Sequence, residues 1–67
     1  MFNQNLLKAK AVERGVSIAK LARSIEKSEP TFYRKLARNG DFSRFEIGRI
    51  VEVLSLTQEE TNNIFFA

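Results

Sequence analysis

The chain has no Cys, no His and no Trp, and only one Pro and one Asp. Without Cys there are no disulfide staples and no thiolate chemistry. Without His, the commonest metal ligand and the usual general base are missing as well. No nucleophile–base pair can be assembled from what remains, and no Gly-rich phosphate loop is present, so neither an enzyme nor a cofactor is expected. Glu59-Glu60 stand side by side, but as first-turn residues of a helix they are favoured by its dipole. No apolar run approaches the roughly 18 residues of a membrane span, and the start is not basic-then-apolar, which reads as a cytoplasmic protein. What is present is 43% hydrophobic and 28% charged over 67 residues. That describes one globular domain, 1–67, small enough for oligomerisation to help its stability.

Charge is unevenly spread. Residues 1–44 carry ten Lys/Arg against four Asp/Glu, whereas residues 45–67 carry one against four. A basic half attracts phosphates by releasing their counterions, so its structural context matters.

Five helical segments parse from the pattern. The first runs from about Asn3 to Arg14 and stops at Gly15. The second covers about 17–25, opening at Ser17 with Ile18, Leu21, Ala22 and Ile25 as an inward stripe. The third covers about 28–38, with Ser28 as N-cap, Pro30 in the first turn and an exit at Asn39-Gly40. Two capping boxes, Ser43-Arg44-Phe45-Glu46 and Thr57-Gln58-Glu59-Glu60, open the fourth and fifth. No strand alternation is visible, so the expected fold class is all-α. The second and third segments, joined by a short polar break, have the layout of a helix-turn-helix, which can present its second helix to a DNA major groove.

With Phe32 and Leu36 turned inward, rotation by about 100° per residue puts Pro30, Thr31, Arg34, Ala37 and Arg38 on the opposite face. Arg34 is central there, and its guanidinium fork suits the O6/N7 edge of guanine. Thr31 can meet a thymine methyl, and Ser28 a phosphate at the helix start. Lys27, Lys35 and Arg38 are expected on phosphates. Ser17 and the N–H groups behind it can hold a phosphate too, with Lys20 one turn on.

Several stretches together carry a resemblance: Gly15-Val16-Ser17, Leu21-Ala22-Arg23-Ser24-Ile25, Ser28, and Thr31-Phe32-Tyr33-Arg34-Lys35-Leu36. Asn39-Gly40-Asp41-Phe42-Ser43 and Leu54-Ser55-Leu56-Thr57 extend it. In this order they resemble the phage Cro/repressor family of XRE-like helix-turn-helix proteins over nearly the whole chain. The resemblance implies a compact four- to five-helix bundle of the lambda-repressor-like type, a transcription regulator on double-stranded operator DNA, and a symmetric homodimer. The chain departs from the family pattern in two respects. Glu26 stands where the family commonly has Gly, so a left-handed backbone there is strained. Glu29 and Pro30 occupy early recognition-helix positions that are often amide or small polar.

The end of the chain, Ile64-Phe65-Phe66, is too apolar for one helical face to bury entirely: core packing is expected to take one or two of the three, and the remainder to supply a dimer contact. The alternative reading is a protein-interaction module, an anti-repressor or adaptor that uses this patch without reading DNA. Glu29 and Pro30 favour it; the basic half opposes it.

Overall fold

Every helix in this chain begins where a short side-chain oxygen meets an orphaned backbone N–H. The computed structural model describes residues 1–67 and contains α1 (Gln4–Glu13), α2 (Ile18–Ser24), α3 (Glu29–Ala37), α4 (Arg44–Leu54) and α5 (Gln58–Phe65), with no strand. Asn3 Oδ1 accepts from the Leu6 N–H at 2.9 Å, Ser17 Oγ from Lys20 at 3.1 Å and Ser28 Oγ from Thr31 at 3.3 Å. Ser43 and Thr57 cap α4 and α5 in the same way, and there the box is completed. Glu46 accepts from the Ser43 N–H at 2.8 Å, and Glu60 from the Thr57 N–H at 2.9 Å. Each such cap is worth about 1 kcal/mol.

Four of the helices also end alike. A residue in the left-handed region follows each: Gly15, Glu26, Asn39 and Ser55, with φ of 67°, 60°, 62° and 52°. The next residue then donates back into the last turn. Val16 donates to Ala11 O at 2.8 Å, Lys27 to Ala22 O at 2.9 Å, Gly40 to Lys35 O at 3.0 Å and Leu56 to Val51 O at 3.1 Å. These bonds satisfy carbonyls the helix leaves open. Glu26 therefore does hold the backbone that the sequence comparison marked as strained, at a cost of about 1–2 kcal/mol.

The core is a single cluster with members from all five helices. Leu7 and Ala11 enter from α1, Leu21 and Ala22 from α2, Phe32 and Leu36 from α3, Ile50 and Leu54 from α4, and Ile64 and Phe65 from α5. Burying each large side chain contributes about 1.5–3 kcal/mol. Helix α2 packs on both α3 and α4, while α1 packs on α5. The two ends of the chain meet, since the Asn3 N–H donates to Ile64 O at 2.6 Å. At that end Phe2, Phe42 and Phe65 form a ring cluster, with the Phe32 ring tilted against Phe42 at 5.3 Å.

The apolar chain end divides between core and surface. Ile64 is fully buried and Phe65 nearly so, because the last turn of α5 directs both into the core of the same chain. They are not surface. Of the three terminal apolar residues only Phe66, 62% exposed, remains available for an association contact.

Candidate nucleic-acid interface

The orientation of α3 follows from its two core anchors. Phe32 and Leu36 are buried, which turns Pro30, Arg34, Ala37 and Arg38 to solvent, and all four are exposed. The flanks are then distinct. Tyr33 faces the start of α2, where it lines a shallow groove of about 340 Å³ with Lys8, Val12, Val16, Ser17 and Ile18. Lys35 faces the other way, toward the 39–43 loop and α4.

Ion pairing sorts the cations by position. Lys10 and Arg14 of α1 converge on Glu60 at 2.8 and 3.1 Å, and Arg49 pairs with Glu52 at 3.0 Å while donating to Ser24 O. Lys35 pairs with Glu46 at 3.4 Å. The remaining seven cations, Lys8, Lys20, Arg23, Lys27, Arg34, Arg38 and Arg44, have no carboxylate partner and are exposed. Five of them lie between Ser17 and Arg38. Those five charges are free to meet phosphates, because no intramolecular partner has to be broken first.

Among the expected site residues, Ser17, Lys20, Lys27, Ser28, Arg34 and Arg38 are exposed, and Thr31 is half-buried. The hydroxyls are already engaged. Ser28 Oγ donates to Thr31 Oγ1 at 3.0 Å while accepting the Thr31 N–H, and Ser17 Oγ accepts the Lys20 N–H. Ser17 keeps its O–H to donate to a phosphate, whereas Ser28 would have to give up its bond to Thr31, and the first role of both is the cap.

Lys35 is engaged as well. Its ammonium donates to Asp41 O at 3.0 Å and lies 3.4 Å from the Glu46 carboxylate. It ties α3 to its neighbours, so a phosphate would have to compete with those contacts. Glu46 is the only buried charged residue, 6% exposed. Burial acts to raise its pKa, but the Ser43 N–H and the charges of Lys35 and Lys27 outweigh it and hold the carboxyl below its ordinary value.

Sequence reasoning passed over two residues of this face. Tyr33, half-exposed, and Lys8 of α1 flank Ser17 in the groove. With Phe32 and Leu36 inward, the helical period turns Tyr33 to a flank of α3, but nothing in the spacing could say that α1 would lie beside it. No cluster of His, Cys, Asp or Glu capable of holding a metal ion comes together, and no helix is long and apolar enough to cross a membrane. No protein-family pattern, curated protein or solved structure matches this chain.

Proposed function

We propose that this chain is a sequence-specific double-stranded DNA-binding transcriptional regulator of the phage Cro/repressor type, built on a lambda-repressor-like helix-turn-helix scaffold. In this reading α2 crosses the DNA backbone and α3 enters the major groove. Arg34 reads a guanine; Arg38, Lys27 and Lys20 hold phosphates; Ser17 and Ser28 steady the backbone beside the helix starts. The chain works in the cytoplasm, with no cofactor, as a homodimer that places two copies of α3 in successive major grooves.

The observation that carries the proposal is the segregation of charge. Three of the five cations on or beside α1 and α4 (Lys10, Arg14 and Arg49) are held in ion pairs, while five of the six between Ser17 and Arg38 stand unpaired beside a core-anchored helix, Lys35 being the exception. A solvated surface with no ligand has no need of that sorting. Selection of bound fragments from random duplex DNA, followed by sequencing, tests it: an enriched half-site is expected. Recovery of fragments with no shared sequence would contradict sequence-specific reading.

A second reading, a protein-interaction module acting as anti-repressor or adaptor, draws on exposed apolar side chains that the core does not use. They include Phe66 at the chain end, Phe45 of α4 and Val12 beside Tyr33 in the groove. Under it the selection would enrich nothing, and binding at low salt would be absent.

A further inference from the structure

The chain has two complete capping boxes, and in both the glutamate does more than close its own helix. Glu60 takes the Thr57 N–H through Oε1 and holds Lys10 and Arg14 of α1 through Oε2. Glu46 takes the Ser43 N–H and the Lys35 ammonium of α3 on the same oxygen, Oε1. A capping box needs only the first of these bonds. The second bond in each case reaches a different helix: α1 from Glu60, and α3 from Glu46.

We propose that Glu46, acting through Lys35, is a positioning residue that sets the roll of α3 and so its discrimination among base pairs, an inference that rests on the DNA-reading role assigned to α3. The physical reason is directionality. Phe32 and Leu36 hold α3 against the core, but apolar contact is non-directional and tolerates a small roll about the helix axis. The hydrogen bond from Lys35 to Asp41 O at 3.0 Å is directional, and the ion pair with Glu46 at 3.4 Å draws the same ammonium toward α4, so both contacts hold this flank of α3 on the α4 side. Side-chain tips lie about 6 Å from a helix axis, so a roll of about 10° moves them by about 1 Å. A hydrogen bond to a base edge does not survive that displacement, whereas attraction to a phosphate falls off slowly. Loss of the tie should therefore remove sequence preference and spare overall DNA affinity.

The test uses the full chain as wild type, Glu46→Gln, Lys35→Met, the double variant and Glu60→Gln. Gln at position 46 keeps an oxygen for the Ser43 N–H, so the cap of α4 is retained while the charge is removed. Fluorescence anisotropy at one low salt concentration measures affinity for a half-site duplex recovered by selection and for its scrambled counterpart. Glu46→Gln and Lys35→Met should each lower the ratio of the two affinities by about tenfold, the scale of one lost base contact. Affinity for the scrambled duplex should stay within about twofold, since no phosphate contact is lost. The double variant should be no worse than Lys35→Met, which already removes both contacts of the ammonium. Glu60→Gln breaks the equivalent tie between α1 and α5, so it should lower the melting temperature and leave the ratio unchanged.

Three results overturn the inference. One is a ratio preserved in both Glu46→Gln and Lys35→Met; should Glu46→Gln fail to fold, Lys35→Met decides alone. Another is tighter binding of both duplexes by Glu46→Gln with weaker binding by Lys35→Met, which would make Lys35 a phosphate contact restrained by Glu46. The third is a wild type that shows no preference between the duplexes, which removes the role of α3 and this inference together. If the wild type discriminates and the variants do too, only the inference falls.

Discussion

The ring of Phe2 lies so close over Gly40 that a Cβ at position 40 would overlap its Cγ and Cδ atoms. Gly40 also has φ +72°, so a side chain there is doubly opposed. Gly15 has nearly the same backbone, φ +67°, but open space around it. Gly15→Ala should therefore cost only the backbone strain, about 1–2 kcal/mol, and Gly40→Ala about 1 kcal/mol or more beyond that from overpacking. Urea midpoints measure both. In a Phe2→Ala background the two substitutions should become equal; a gap that persists would mean Phe2 is not the obstacle.

Glu26 gives the opposite sign. Its φ of 60° is left-handed, and its N–H and the next one already satisfy the end of α2. Glu26→Gly should relieve strain and raise stability by up to about 1 kcal/mol, with the greater chain entropy of Gly opposing it. A lower urea midpoint for the variant would show that the turn is not strained.

Acid should weaken the fold through Glu60. The bond from Lys10, then the Thr57 N–H and the Arg14 charge, hold its carboxyl at about 2 in the folded chain, against 4.5 ordinarily. Between those values the unfolded chain binds the proton and the folded one does not. Stability present above pH 4.5 is therefore lost as the pH falls toward 2. Glu46, also held low, acts in the same direction. Lys10 is raised above 10.5, chiefly by its bond to Glu60, so its contribution is complete below 10.5 and lost as the pH rises further. Melting temperatures across pH should fall at both ends, and Glu60→Gln should flatten both limbs. An unchanged acid limb in that variant would remove Glu60 from the account.

Phe66 is the one terminal aromatic left outside the core, its ring 6.3 Å from that of Phe65. If it joins two copies, Phe66→Asp should leave the monomer fold intact and abolish self-association, because it puts an unpaired charge into the contact. Sedimentation equilibrium at micromolar concentration decides. A wild type that remains monomeric throughout would remove the dimer contact.

Local structure was legible in the sequence wherever one residue's chemistry decides it. Ser17, Ser28, Ser43 and Thr57 cap helices and Gly15 and Asn39-Gly40 end them, whereas Asn3, counted within the first segment, is its N-cap. Ser55 was not legible as a helix end, since Ser carries no general preference for left-handed backbone. The candidate site was legible where it depends on helical period alone: Arg34 and Arg38 are exposed because Phe32 and Leu36 are not. It was not legible where a second element decides. Lys35 belongs to Glu46 because α4 runs beside that flank of α3, and Ile64 and Phe65 are core because the chain ends meet there. Spacing within one helix carries no information about what lies opposite it.

The most direct test of the account compares Arg34→Ala with Arg38→Ala in DNA binding across a salt series. Both side chains are exposed and unpaired on α3, so neither substitution should disturb the fold. Arg34→Ala should cost about 1–3 kcal/mol on the selected half-site and flatten preference at one base pair. Arg38→Ala should weaken every duplex nearly alike and reduce the slope of log affinity against log salt by about one unit. Equal, sequence-independent losses would make Arg34 another phosphate contact. A wild type that binds no duplex at low salt would contradict the central claim outright.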